Sequence, residues 1–288
     1  MANEPTGQYD AAYHAALQAG ARRSAAVVLA RVHALLAPAS LVDFGCGSGE
    51  WLAEAGALGI DDLCGVDGPW VEARTLEIAP ELFTSADLSA PLDLGRRFDV
   101  ALCLEVAEHL PAAAAPGLID TLCAHAPVVV FSAAIPGQGG EGHVNEAWPS
   151  QWRDLFAARG FDGFDALRAP LWADERVEPW YRQNLLVFAA RDHLARAPAL
   201  ATRLQAAVAG PLDLVHPAIF RTYRDLADLS GGLKAERDAQ ATRIAELAAA
   251  YENEAARHAA LLGSVSWRVT APLRAIARRL RGESRGDA

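Results

Sequence analysis

The chain has 288 residues, a hydrophobic fraction of 52%, a charged fraction of 22% and a formal net charge of −10. Val, Leu, Ile, Phe and Trp are plentiful enough to bury a core, which excludes global disorder, and the length suits one core domain plus an extension. Six arginines against Glu283 and Asp287 leave the segment from Ser264 onward at +4 and the body before it at −14, a balance that excludes nucleic acid as the body's partner.

"MANEPTGQYD" lacks the basic start and apolar run of a secretory signal, and apolar windows such as "AAVVLARVHALLA" are too short to span a bilayer. A cytoplasmic protein is the expectation. Cys46, Cys64, Cys103 and Cys123 are widely spaced without a CxxC pair, as buried fillers in a reducing compartment would be.

In chain order, apolar positions at helical spacing predict a helix over residues 10–36, stopped at Pro38. "SLVDFGCGSG" reads as a strand running into glycines, and "EWLAEAGALG" as the next helix. Then come "DLCGVD" as strand, "PWVEARTLEIA" as helix, "ELFTSAD" and "RFDVALCLE" as strands, "APGLIDTLCAHA" as helix and "PVVVFSAA" as the fifth strand. Short runs that are apolar on both faces and alternate with helices predict a doubly wound α/β fold, a parallel sheet covered on each side. "PSQWRDLFAARGF" reads as a helix stopped at Gly160, and "QNLLVFAAR" as a late strand closing the sheet near Arg191. Residues 1–191 are thus expected to form one α/β domain, with 1–38 as a helical cap.

Residues 192–225 read as helix broken by prolines. From there Leu226, Leu229, Leu233, Gln240, Ile244, Leu247, Tyr251 and Leu261 follow a 3-4 rhythm, interrupted by Arg237, Glu254 and His258. This predicts a modest coiled coil within an extension over 192–263, able to join copies of the chain; the alternative is an amphipathic helix packed on its own domain. In the tail, 264–288, Leu273, Ile276, Ala277 and Leu280 lie against Arg274, Arg278, Arg279 and Arg281. Such a basic amphipathic helix suits peripheral contact with the inner face of a membrane, or an acidic protein partner, against the plain alternative of a solvated terminus.

The chemistry begins at "LVDFGCGSGE". Gly45, Gly47 and Gly49 stand at the exit of the first strand, where a tight turn brings backbone close to a ligand and starts a helix. Glu50 occupies the place where a dinucleotide fingerprint needs its last glycine, and a pyrophosphate beside it is disfavoured. Asp67, at the end of the second strand, holds the position that hydrogen-bonds ribose in such folds, and Asp87 after the third could accept from an exocyclic amine. Together these describe a nucleoside carrying a carboxylate in place of a pyrophosphate.

"VDFGCGSG", followed by Asp67, Asp87 and "FDVALCLEVAEHL", resembles the class I S-adenosylmethionine-dependent methyltransferases over roughly residues 10–190. The resemblance implies a Rossmann-like, seven-stranded sheet with S-adenosylmethionine as cofactor. It places Asp43 and the loop Gly45, Cys46, Gly47 and Gly49 beside the methionine moiety, Asp67 on the ribose, Asp87 and Leu88 at the adenine, and Glu105 flanking the cofactor.

"GQGGEGHVNEAWPSQW", residues 137–152, follows the fifth strand and so emerges on the same sheet edge as the glycine loop. Methyl transfer is an in-line displacement, so the enzyme holds the acceptor and, for a hydroxyl, removes a proton. His143 is the candidate base, helped by Glu146 or by His109, which lies four residues after Glu105; the bland alternative is that His143 only shapes the loop. Glu105, His109, His143 and Glu146 have no recognisable ligand spacing, so no metal is expected.

This stretch together with "VEPWYRQNLLVFA" resembles methyltransferases of bacterial surface-polysaccharide biosynthesis, as does the tail "SVSWRVTAPLRAIARRLRG". The resemblance implies an O-methyltransferase of a sugar hydroxyl on a cell-surface glycan or its precursor. Trp148, Trp152, Trp180 and Tyr181 would supply stacking faces, with Asn145, Glu146, Arg182 and Gln183 as polar contacts for the sugar; the alternative is that Trp152 is helix core and Trp180 a packing anchor. A small-molecule O-methyltransferase of the phenol or quinone type, and a non-catalytic scaffold in a glycan assembly complex, are the alternatives.

Overall fold

A computed structural model describes residues 7–206 and 210–281, so the first six residues of the expected cap and 282–288 of the tail lie outside the described residues. Helix α1 (Gly7–Leu36) precedes β1 (Ser40–Phe44), α2 (Glu50–Ala57), β2 (Asp62–Asp67), β3 (Phe83–Ser85) and β4 (Val100–Leu104). Next come α3 (Ala115–His125), β5 (Val128–Ser132), α4 (Pro149–Ala157), β6 (Phe161–Phe164), α5 (Arg168–Leu171), α6 (Pro179–Asn184) and β7 (Leu186–Ala190). The seven strands form one sheet in the order β3-β2-β1-β4-β5-β7-β6.

Residues alternate between the two faces of a strand, and the core divides accordingly. Leu41, Leu102, Val130 and Val187 point into one layer with Val28, Leu29 and Val32 of α1 and Leu52 of α2. Val42, Phe44, Ala101, Phe131 and Phe188 point into the other with Ile119 and Leu122 of α3 and Trp152 and Phe156 of α4. Phe156 stacks on Phe188 at 3.9 Å between centroids. β4 and β5 are buried along their whole length, which explains why their sequences are apolar without alternation.

Two expectations are corrected. "PWVEARTLEIA" is not a helix: it carries a single 3-10 turn at Ala73–Thr75, with a second starting at Pro80. No residue from 69 to 82 is buried and Trp70 is 72% exposed, so its helical periodicity has no core to pack on. The sheet is also not wholly parallel, because β7 runs antiparallel to both β5 and β6. The chain returns from β6 through α5 and α6 at one edge instead of crossing over the sheet, and only a crossover yields a parallel neighbour. The reversal matters for function: Phe131 near the end of β5 pairs with Leu186 at the start of β7, so the residues just before β7 reach the edge where β5 ends.

The first compact unit continues past the expected boundary at 191 and ends at Tyr223. It includes α7 (Arg191–Arg196) and α8 (Pro198–Gln205), which bury Leu194, Leu200 and Leu204 in the α1 layer. Pro198 and Pro217 open α8 and α9 (Pro217–Gly263), as the proline breaks predicted. The second unit, from Arg224, holds most of α9 with α10 (Val265–Val269) and α11 (Ala271–Leu280). Leu226, Leu229, Leu233, Ile244, Leu247, Tyr251 and Leu261 are all exposed along it. Among the described residues no helix is long and apolar enough to cross a membrane.

Candidate active site

The glycine loop is built by backbone needs. Gly45 has φ +85°, and a Cβ there would stand 2.2 Å from a methyl of Val106. The amides of Gly45 and Cys46 both donate to the Val66 carbonyl, tying the exit of β1 to β2. Gly49, at φ +95°, opens α2 where a Cβ would meet Ile78 at 2.9 Å. Asp67 braces the loop: its carboxylate accepts from the Gly47 amide at 2.7 Å and from the Gly68 amide at 2.6 Å. Gly47 itself faces a cavity of about 620 Å³, within the range of small-molecule sites.

Ser48 and Glu50 wall the cavity on one side; Glu105, Glu108 and His109 wall it beyond β4. The segment from Gln138 to Glu141, with His143, closes the side beyond β5, and Trp180 and Tyr181 come from α6. Among the described residues four glutamates line this space, with no lysine or arginine. Asp43, only 2% exposed, holds a proton instead of a charge near neutral pH: burial first, then Asp67 and Glu50, push its carboxyl up to about 8. An anionic phosphate does not fit such a lining, whereas a cationic group does.

Glu105 sits in the left-handed region at φ +54°, held there by its amide on the carbonyl and hydroxyl of Ser132. Its carboxylate accepts from Gln138 Nε2 at 3.1 Å and Asn184 Nδ2 at 3.1 Å. Gln138 Oε1 in turn accepts from Gln183 and Asn184, so one polar belt joins β4, the loop after β5 and the start of β7. Burial raises the Glu105 carboxyl above its usual range, with Asn184, Ser132 and Gln138 offsetting part of the shift. Glu108 is fully buried, and burial followed by Glu105 pushes it up to about 9.

In the 137–152 stretch, His143 Nδ1 donates to Glu146 Oε1 at 2.9 Å, and Glu146 also accepts from the amides of Gly137 and Gly139. Burial works against the Glu146 anion, but His143 and these amides hold it below the ordinary carboxylate range. With the proton on Nδ1, His143 keeps a lone pair at Nε2. His109 packs edge-on against His143 at 4.9 Å, and burial, then His143, lower its pKa.

The fold therefore brings Gly47, Glu105, His109, His143, Trp180 and Tyr181 to one cavity, with Asp67 and Glu146 bracing its loops. Other expected site residues lie elsewhere. Cys46 and Leu88 are buried in the two apolar layers. Asp87 is exposed, and its carboxylate accepts from the amide and hydroxyl of Ser89. Asn145 donates to the Ala107 carbonyl, Trp148 caps α4, and Arg182 is buried with Nη1 on the Trp172 carbonyl. Residues the sequence did not single out as site residues are Glu108, Gln138, Asn184 and Tyr223, whose buried hydroxyl burial and Glu146 push up to about 12. Gln138 lies inside the glycine-rich stretch already singled out, but the other three are separated from it in sequence and signalled by no spacing.

Residues 17–159 match the family model described as a methyltransferase domain. That segment is a methyltransferase domain. No curated protein matches the chain. Among solved structures it is similar to the sugar N-methyltransferase KedS8 of a Streptoalloteichus species, at 21% identity over 66% of this chain and 96% of that one, TM-score 0.46. It is likewise similar to S-adenosylmethionine-bound CalS10, an amino pentose methyltransferase of Micromonospora echinaspora (20% identity, 66% and 99% coverage, TM-score 0.45). A third is the magnesium protoporphyrin IX methyltransferase of Synechocystis with the same molecule bound (18%, 66% and 86%, TM-score 0.43). At these scores none of them decides the acceptor. S-adenosylmethionine fits this methyltransferase domain on its own residues: its sulfonium and ammonium are cations, and the lining offers carboxylates and a left-handed glycine loop whose Gly47 faces the cavity with the Glu50 carboxylate beside it.

Proposed function

We propose that this methyltransferase methylates a hydroxyl of a sugar, on a cell-surface glycan or its precursor, with S-adenosylmethionine as donor. The observation that carries it is the pairing, in one cavity, of an acidic cofactor wall with the His143–Glu146 pair and the aromatic faces of Trp180 and Tyr181. Pyranoses present apolar C–H faces and hydroxyl rims, and aromatic walls beside Gln138, His109 and Glu105 suit both.

S-adenosylmethionine, when bound, supplies a methyl group made electrophilic by the adjoining sulfonium. Asp67 would hold the ribose and the glycine loop the methionine moiety, and Glu50 and Glu105 balance the donor's positive charge. Glu146 orients the His143 ring, whose Nε2 takes the proton as the acceptor oxygen attacks. Incubating the full chain with donor and a panel of nucleotide sugars and glycan fragments tests this by mass spectrometry. A gain of one methyl on a sugar supports it; transfer to phenols alone would overturn the sugar assignment.

The second unit serves location. The exposed stripe of α9 pairs with a second copy of the chain, and Leu273, Ile276 and Leu280 of α11, one helical stripe flanked by arginines, rest on an anionic inner leaflet.

A further inference from the structure

Glu108, His109 and His143 offer one carboxylate and two imidazoles whose ligand atoms all lie within 4.8 Å of one another in the cavity. Three further features set this group apart from a chance cluster. Glu108 is 0% exposed; one oxygen accepts from the Ala134 amide, while Oε2 is buried and meets no donor among the described residues beyond the neighbouring Glu105 carboxyl, a group of like charge. A buried carboxylate oxygen left unmet is costly, so a ligand in the cavity is its natural partner.

Both imidazoles are also oriented from behind. His143 is fixed through Nδ1 by Glu146, which two backbone amides anchor. His109 turns Nδ1 toward Gly142 and hydrogen-bonds its backbone. Rings held at one nitrogen by a carboxylate or a backbone carbonyl present the other to an ion, and this is how metal-binding histidines are positioned. Finally, a Cβ at Gly140 would stand 2.2 Å from His143 Nε2 and 2.4 Å from its Cε1, so glycine at that position lets the backbone pack on the imidazole and helps to hold the ring.

We propose that Glu108, His109 and His143 bind one divalent transition-metal ion beside the acceptor. Two imidazoles and one carboxylate suit zinc, cobalt or manganese better than the all-oxygen cations magnesium and calcium. Three protein ligands leave positions open, and an acceptor hydroxyl that meets the ion becomes more acidic, its proton passing to solvent. In the loaded protein His143 Nε2 is then a ligand and the ion replaces the imidazole as the means of activating the hydroxyl. That catalytic role rests on the methyl-transfer reading above, whereas binding of the ion does not.

Cobalt(II) titrated into the full chain, followed by its visible absorption, tests the assignment, with S-adenosylhomocysteine calorimetry on the same samples. One cobalt per chain is expected, with at least tenfold weaker binding in Glu108→Gln and in His109→Ala. His109 is exposed, so its variant reports on the site even where the change at buried Glu108 disturbs folding. Absence of cobalt bands at millimolar ion, or binding unchanged in His109→Ala, overturns the metal site. If S-adenosylhomocysteine still binds, the methyl-transfer reading survives that failure; loss of its binding with cobalt retained has the opposite meaning.

Discussion

Replacing Asp43 with asparagine should flatten the dependence of stability on pH. In the folded chain burial, Asp67 and Glu50 raise this carboxyl from 3.8 to about 8, while in the unfolded chain it returns to its ordinary value. A group with a raised folded pKa contributes stability that is complete below the unfolded value and is lost as pH rises through the folded one. Between pH 4 and 8 the wild type therefore loses up to about 1.4 kcal/mol per pH unit at this one residue, a ceiling of roughly 6 kcal/mol across the window. Asparagine is neutral throughout and nearly isosteric. Urea unfolding of both proteins, followed by tryptophan fluorescence at pH 5, 6.5 and 8, should show the variant gaining on the wild type by several kcal/mol from the lowest pH to the highest. Glu108 shifts in the same direction but is common to both proteins, so it cancels in the difference. A difference that changes by less than about 1 kcal/mol over that range would refute the burial of a protonated Asp43 beside Asp67 and Glu50.

Other outcomes follow from the same geometry. His143→Ala should lower kcat by about 100- to 10,000-fold while leaving S-adenosylhomocysteine affinity nearly unchanged, and Glu146→Gln should lower it less, as steady-state rates and calorimetry would show. Arg168→Met should cost about 3–5 kcal/mol in calorimetric stability, because the buried guanidinium holds Asp165 and the carbonyls of Gln183, Pro211 and Leu212. Ile276→Glu with Leu280→Glu should abolish sedimentation with anionic vesicles without altering the rate on a soluble acceptor; equal binding to neutral vesicles would argue against the arginine face of α11.

Most of the first unit was legible because its strands announce themselves. "VALCL" and "VVVFS" are apolar throughout, and only a doubly covered sheet buries both faces of such runs. The glycine loop was equally legible, since the left-handed φ at Gly45 and Gly49 leaves little choice of residue. Residues 70–80 misled because periodicity records a face without recording whether anything packs on it, and here nothing does. The direction of β7 was hidden because β5 and β7 read alike in sequence whichever way they pair. That direction decides how Trp180 and Tyr181 reach the cavity and how Asn184 reaches Glu105. Glu108 was missed for a related reason: beside His109 in "EVAEHL" it looks like one more solvated acid, and only the packing around Ala134 shows it buried.

The central claim is that the acidic, glycine-walled cavity is the seat of an S-adenosylmethionine-dependent methyl transfer. Isothermal titration of the full chain with S-adenosylhomocysteine, repeated on Gly47→Val, tests it most directly. The account requires one site per chain and loss of binding when a branched side chain at Gly47 enters the cavity. Absence of binding at millimolar ligand, or an affinity indifferent to Gly47→Val, would contradict it.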